Sequence, residues 1–334
     1  MAIPRAKGGR GGAGAARKLG RHDTRTVLTA GHKSQIIALF EIFNNPGTRD
    51  EMKLVSFEQA GKAGFGAVVG DGVIDLGRAL GGRFADLKGL LEGDGVAAAR
   101  AAIAGRAPDH ALADLTLAPV IPHPGKIWCC GLNYAEHVRE TQREITEKPM
   151  FFMRIADSQV GHGQAIPVPP ESSQLDFEGE IAVIIGRAGR RISEADAWDH
   201  IAGYACYNDG SVRDWQRHTQ QFGPGKNFWR TGGFGPWMVT ADEIPAGAVM
   251  TLVTRLNGRE MQRATTDMMI HSIPRQIAYL STVAPLRPGD VIVTGTPGGV
   301  GARRDPPVWM KPGDTVEIEV DRIGVLRNPV VAEA

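Results

Sequence analysis

The chain has 334 residues, 43 of them Gly and 21 Pro, with 42% hydrophobic and only 6% aromatic side chains. Lys and Arg (38) nearly balance Asp and Glu (37), for a net charge of +1. That balance argues against a nucleic-acid-coating protein, an acidic solvating tail or a membrane-surface charge, and the length suffices for one large domain with a smaller partner or for two ordinary ones.

Cys129, Cys130 and Cys206 are too few and too badly spaced for a disulfide framework or a thiolate zinc site, and they fit small buried hydrophobes of a reducing compartment. No apolar run approaches the roughly 18 residues of a membrane span. A soluble, cytoplasmic protein with no membrane or nucleic-acid partner is expected.

The charge is uneven along the chain. Residues 1–51 carry nine Lys/Arg against four Asp/Glu and open with a Gly/Ala/Arg-rich stretch that cannot offset the entropy of ordering its backbone, so a disordered basic leader is expected. The apolar patch 36–43, stopped by Asn44-Asn45-Pro46-Gly47, reads as a short helix. Three readings stay open for the leader: a functionless extension from an upstream start codon, a basic arm for nucleic acid or a partner, and a transit peptide.

A first strand is predicted to open at Met52-Lys53-Leu54-Val55-Ser56-Phe57. Residues 52–119 then read as a small α/β module, with a hairpin about Asp71-Gly72 and a helix through Phe84, Leu87 and Leu91. Pro119, Pro122 and Pro124 form a stiff junction, so a domain boundary is expected there and a catalytic domain over 120–331. In that domain, strands are predicted at Glu180–Gly186, Gly203–Tyr207, Trp237–Thr240, Met250–Leu256 and Val291–Thr294. Helices are few: Asn133–Thr146, Ser193–His200 and Ile270–Ser281. This is a strand-rich α+β pattern, a mixed β-sandwich or roll with a small N-terminal α/β module, and not a doubly wound parallel sheet.

The informative stretch is Asp176-Phe177-Glu178-Gly179-Glu180, leading into Ile181-Ala182-Val183-Ile184-Ile185. On a strand, Asp176, Glu178 and Glu180 share one face and enter an apolar run. Burying adjacent carboxylates is costly unless a cation lies between them. Glu317 and Glu319 have the same spacing but alternate strictly with Val316, Ile318 and Val320, which marks a solvated strand face. Asp209, after the predicted strand 203–207, offers a third acid. Three carboxylates without Cys or paired His suit Mg²⁺ or Mn²⁺, with Ca²⁺ a poorer fit, and zinc would recruit nitrogen or sulfur.

Asn133-Tyr134-Ala135-Glu136-His137 reads as a helix start with Asn133 as cap and Glu136 completing a capping box. His137 and Glu140 then lie at i and i+3 and can touch, as an oriented general base or as a surface ion pair. Thr294-Gly-Thr-Pro-Gly-Gly-Val-Gly301 is glycine-rich but lacks the ending of a phosphate loop and the dinucleotide fingerprint. No Gly-x-Ser-x-Gly elbow occurs. His218, His271, Trp215 and Trp229 fit a core or a pocket wall equally well.

Taken in order, Lys126 through His137, Asp176-Phe-Glu-Gly-Glu180, Asn208-Asp209-x-Ser211-x-Arg213-Asp214-x-Gln216, Gly225-Lys226-x-Phe228, Gly235-Pro236-Trp237 and Pro288 through Gly301 resemble the fumarylacetoacetate hydrolase family. The resemblance covers residues 120–330 and implies a β-sandwich roll, a homodimer, and a divalent cation held by Glu178, Glu180 and Asp209. Its acylpyruvate hydrolase and oxaloacetate decarboxylase branch implies that His137 and Glu140, on a lid helix, activate water, with Lys226 stabilising an enolate and Gln216, Thr296 and Tyr134 touching substrate. Two departures stand out. The middle of Lys226-Asn227-Phe228-Trp229-Arg230-Thr231-Gly232-Gly233-Phe234-Gly235-Pro236-Trp237 is changed, and Arg154 stands where the family has Lys, able to fork onto a substrate carboxylate. The expected activity is metal-dependent hydrolysis of a C–C bond in a 2,4-dioxo acid, acylpyruvate or aromatic ring-cleavage product. The alternatives are a decarboxylase or keto–enol isomerase of a 2-oxo dicarboxylate and, outside enzymes, a silent scaffold or binding protein.

Overall fold

Strands β1 (Lys53–Gln59), β2 (Lys62–Val69) and β3 (Gly72–Asp75) form an antiparallel meander, followed by the short β4 (His110–Ala111) and β5 (Thr116–Leu117). Then come β6 (Ile127–Gly131), β7 (Met150–Arg154), β8 (Gln159–Val160), β9 (Ile166–Val168), β10 (Leu175–Asp176) and β11 (Gly179–Ile185). The chain continues through β12 (Ile201–Asn208), β13 (Ser211–Val212), β14 (Gly232–Thr240), β15 (Thr251–Leu256) and β16 (Arg259–Thr265). It closes with β17 (Val291–Val293), β18 (Thr315–Val320) and β19 (Gly324–Ala332). This computed structural model describes residues 51–333 and, isolated before them, Ala2. The expected leader and the 36–43 helix lie outside the described residues.

The strands make a mixed sheet in the order β4-β3-β2-β1-β14-β12-β11-β17-β6-β7, with β5 on β1 and β8 on β14, and a second sheet in the order β16-β15-β18-β19-β9. β17 pairs with β6, β8 with β14 and β9 with β19 in parallel; the other pairs are antiparallel. Strands β11, β12 and β14 lie against β15, β18 and β19, which makes the expected sandwich. Turn chemistry matches the hairpins. Gly70 takes φ +59° between β2 and β3, and Asn257-Gly258 takes φ +54° and +76° between β15 and β16, as a tight hairpin turn demands.

Strand β11 is buried along its whole length because each face meets a different layer. Ala182 and Ile184 join a core with Leu54, Phe65, Leu87, Leu90, Cys129, Ala205, Tyr207 and Phe234. Gly179 points at the second sheet, where an added Cβ would meet Thr254 and Ile318. A glycine between the two glutamates therefore lets the sheets approach while both acids turn to the other face.

The expected boundary at 119–125 does not divide the described residues. Lys53 and Leu54 of β1 pair with Val239 and Met238 of β14, so the N-terminal meander extends the catalytic sheet. Val120 and Ile121, inside the proline-rich junction, are core residues. β14 extends the ladder of the meander, and Phe234 and Met238 of that strand share one core with Leu54 and Phe65. The predicted helix 133–146 shrinks to Ala135–Glu140, and 193–200 is only a 3₁₀ turn at Ala197–His200. The third helix forms at Ile273–Val283, capped by the Ser272 side chain, which accepts from Arg275 N. Glu317 and Glu319 lie on the half-exposed face of β18, facing Arg327 and Arg255, as their alternation implies.

His162, between β8 and β9, accepts a hydrogen bond at Nδ1 from Arg327 N at 3.2 Å. Burial, followed by the Arg327 charge, lowers its pKa from 6.5 to about 4. The unfolded chain therefore binds the extra proton first, and this site costs stability as pH falls from 6.5 toward 4. Urea melts of His162→Gln are expected to show a shallower loss of stability over that range than the parent chain; identical slopes would remove His162 as an acid-sensitive point.

Candidate active site

At the start of β11, Glu178 and Glu180 flank Gly179, and Asp209 follows the end of β12; the register pairs Glu180 with Tyr207 and Gly179 with Asn208. Asp209 N donates to Glu178 O at 2.8 Å, and Glu178 N donates to Asn208 Oδ1 at 3.0 Å, so the two strand ends are tied together. The three buried carboxylates present oxygens that all lie within 4.8 Å of one another. Asp176 is not among them. The chain leaves strand geometry at Phe177 and Glu178, and Asp176 turns away to accept from Gly301 N, Ala302 N and Arg213 Nε at 2.8–2.9 Å.

Three buried cations are interleaved with these acids. Lys226 Nζ donates to Glu178 Oε2 at 2.6 Å and to Asp209 Oδ2 at 2.7 Å. Arg213 Nη2 pairs with Glu178 Oε1 at 2.6 Å, and Arg154 Nη1 donates to Asp209 Oδ1 at 2.5 Å. Burial works to raise the Glu178 pKa, but Arg213 and then Lys226 outweigh it and hold this carboxyl well below the usual range. Burial likewise opposes the Lys226 charge, and Asp209 and Glu178 overcome it and keep the ammonium form.

Glu180 is the exception. Its Oε2 accepts from Gly295 N at 2.5 Å, and no cationic side chain pairs with it among the described residues. Burial, and then the charges of Asp209 and Glu178, push its pKa well up. Four buried carboxylates, Asp176, Glu178, Glu180 and Asp209, thus face only three buried cations, Arg154, Arg213 and Lys226. An added cation against Glu180 would relieve that deficit, and an all-oxygen donor set suits a hard divalent ion. The residues present fit a divalent metal.

A cleft open to solvent is lined by the triad together with Lys226, His137, Gln216 and Thr296. His137 Nδ1 lies 2.6 Å from Glu140 Oε1, and since a carboxylate only accepts, Nδ1 carries the proton and Nε2 is left as the basic nitrogen. Gln216 Oε1 accepts from Arg213 Nη1 at 2.9 Å, which leaves its NH₂ free to donate. Thr296 lines the cleft, but its hydroxyl donates to Gly179 O at 3.0 Å and accepts from Gln262.

Two expected substrate contacts are elsewhere. Arg154 does not line the cleft; its guanidinium is spent on Asp209, Gly210 O, Ser158 and Thr231. It positions a triad member and has no donor left for a carboxylate. Tyr134 is buried outside the cleft and serves as the backbone N-cap of the helix Ala135–Glu140. The capping box is absent too, because the Asn133 side chain instead donates to His271 O and Thr294 O and accepts from His271 N.

Other contributors carry no local sequence signal. Arg143, Arg217 and Arg303 line the cleft, are solvent-exposed, and have no carboxylate within ion-pair distance among the described residues. Partial burial, followed by Arg217 and Arg213, pushes the Arg303 pKa down, with Glu140 opposing. The rim is an unneutralised positive cluster.

Buried acids that could hold a metal, a histidine–carboxylate pair and a cationic rim meet in one cleft. The fumarylacetoacetate hydrolase C-terminal model matches residues 126–331, more than half of the chain, and the chain belongs to that family. It is 38% identical over 234 residues to the mitochondrial oxaloacetate tautomerase FAHD2A of Bos taurus, covering 70% of this chain and 74% of that protein. The fold is similar to a fumarylacetoacetate hydrolase of Exiguobacterium antarcticum (TM-score 0.74, 32% identity, covering 84% of this chain and all of that one). It is also similar to a maleylpyruvate hydrolase of Sphingobium sp. SYK-6 in complex with manganese(II) and pyruvate (TM-score 0.71, 30% identity, 85% of this chain and all of that one).

Two outcomes are expected. Mn²⁺ titration followed by electron paramagnetic resonance should reveal a tight site that Glu180→Ala abolishes; retention of the site in that variant would exclude the triad. Arg154→Met should cost about 3–5 kcal/mol in urea melts, the usual penalty for stripping one partner from a buried ion pair. A fully stable variant with a raised KM would restore Arg154 as a substrate contact.

Proposed function

We propose that the protein is a metal-dependent keto–enol tautomerase of a 2-oxo dicarboxylate of the oxaloacetate type. The observation that carries this reading is the unneutralised Arg143, Arg217 and Arg303 rim beside a dyad and a triad, a charge pattern suited to a dianion whose one end is activated and whose other end is bound. Identity to an oxaloacetate tautomerase supports it.

Glu178, Glu180 and Asp209 would hold Mg²⁺ or Mn²⁺, which when bound would supply Lewis acidity toward negative charge on the 2-oxo oxygen. His137 Nε2 takes the proton from the carbon next to the carbonyl, and Glu140 stabilises the imidazolium through Nδ1–H. Two of the three Lys226 N–H donors are spent on Glu178 and Asp209, and the third is free to face the developing enolate oxygen. Return of the proton from His137 to that oxygen completes the enol. The Gln216 NH₂ is free to hold the adjacent carboxylate.

A second reading, hydrolysis of a C–C bond in a dioxo acid, uses the same dyad to deprotonate water and is favoured by the likeness to maleylpyruvate hydrolase. The two are separated by following the ultraviolet enol band of oxaloacetate beside product release from an acylpyruvate. The tautomerase reading expects accelerated enol–keto interconversion with Mn²⁺, and His137→Ala should lower kcat by about 10²-fold or more, with Mn²⁺ affinity unchanged. Acylpyruvate cleavage without any acceleration of oxaloacetate interconversion would overturn it in favour of the hydrolase.

A further inference from the structure

We propose that the glycine-rich loop 294–301 is a positioning element that sets the His137–Glu140 dyad at a fixed place relative to the carboxylate triad, through the backbone N–H groups of Gly295 and Gly299. The proposal rests on the dyad's role in the reading above. One loop grips both halves of the site. Gly295 N donates to Glu180 Oε2 at 2.5 Å, and Gly299 N donates to Glu140 Oε2 at 2.9 Å. Because Glu140 Oε1 holds His137 Nδ1, the Gly299 amide fixes the carboxylate that fixes the base.

The lid helix needs such a partner. Ala135–Glu140 has six residues and no side-chain cap bond, and a helix that short is not stable by itself. The loop meets it at three points along its length. At its start, Gly295 lies so close to Asn133 that an added Cβ would fall 2.6 Å from Asn133 Cβ. In its first turn, a Cβ on Gly298 would fall 2.6 Å from Glu136 Cγ. At its end stands the Gly299 bond to Glu140. Gly295 and Gly299 adopt φ +106° and +100°, where a side chain is strained, and a Cβ on Gly299 would also strike Met261 O.

The loop is itself held in place. Asn133 Nδ2 donates to Thr294 O at 2.7 Å, while Gln262 Nε2 donates to Thr296 Oγ1 at 2.7 Å and to Pro297 O at 2.9 Å. Gln262 Oε1 in turn accepts from Gly179 N at 3.0 Å, between the two glutamates of the triad. A displacement of the loop therefore moves the base against the triad, and an error of about 1 Å in such a placement can cost about 10²-fold in rate.

The test is Gly298→Ala in the full chain. Its methyl group would fall 2.6 Å from Cγ of Glu136, an exposed residue outside the catalytic machinery, so the proposal expects the Glu136 end of the lid helix to be displaced. The expected result is a kcat lowered about tenfold or more, with KM and Mn²⁺ affinity unchanged. Amide hydrogen exchange across 135–140 in the metal-free protein should be faster, with β11 unaffected. Glu136→Ala alone should leave activity and exchange at the parental level, and in the Gly298→Ala background it should restore both. A normal kcat, unchanged lid exchange, or a loss that Glu136→Ala fails to rescue overturns the proposal. Should Gly298→Ala not fold, Glu140→Ala serves instead: loss of the acceptor should speed exchange of the Gly299 amide and the lid helix, and an unchanged Gly299 amide overturns the proposal equally. The exchange measurements need no substrate, so they stand or fall apart from the tautomerase reading.

Discussion

The rest of the site depends on a deficit of positive charge in the protein interior. Four buried carboxylates meet three buried cations, and the acid with no cationic side chain paired to it among the described residues, Glu180, sits at the start of the fully buried strand β11. Unpaired charge in a low-dielectric interior is tolerated only when something is gained from it, and here the gain is a site that favours a divalent ion. Each neighbouring cation restrains its acid from the protein side. Arg154 holds one oxygen of Asp209, and Arg213 holds one oxygen of Glu178, itself steadied by Asp176. The carboxylates are thereby oriented before anything binds.

The fold makes this possible by covering both faces of β11. The second sheet approaches closely at Gly179, and the N-terminal meander with its helices covers the other face. The meander is therefore part of the active-site architecture, although it contributes no residue to the cleft. Its pairing to β14 brings Leu54 and Phe65 into the core that also holds Ile184 and Tyr207. Each such fully buried side chain contributes about 1.5–3 kcal/mol, which helps to hold the frame around the costly charged cluster.

Much of the triad was legible because its signal is local: two acids one residue apart, running into Ile181-Ala182-Val183 with no polar relief. The hairpin turns were legible for the same reason. What failed was long-range or inverted. Lys53 pairs with Val239, a contact that no local pattern encodes, so a proline-rich segment with buried Val120 and Ile121 resembled a linker. At the end of β7 the usual alternation is reversed, with Met153 and the following Ile155 exposed and Arg154 buried against Asp209. A residue-by-residue reading sends that arginine to solvent or substrate. Asn133 looked like a helix cap, but its side chain is drawn away by His271 and Thr294, contacts from residues far along the chain. The rim arginines come from three separate loops and share no spacing at all.

The chemistry and its selectivity are consequently built in different dielectric regimes. With all four carboxylates ionised the buried cluster carries −1, and a divalent ion bound there would make it +1, a charge that one carboxylate end of the proposed substrate would neutralise. On the proposed reading, the second carboxylate of a dianion would be bound outside that cluster, by Arg143, Arg217 and Arg303, whose charges are exposed and screened over roughly 8 Å at physiological salt. Proton abstraction next to a carbonyl needs only the interior: a base, an electrophile and a donor for the oxygen. On that reading the same interior would serve an enolate that is reprotonated or one that is the leaving group of a cleavage by water, and the rim is where the two chemistries would differ. Proteins similar to this chain carry the name of a tautomerase in one case and of hydrolases in others, as expected if one interior serves both outcomes.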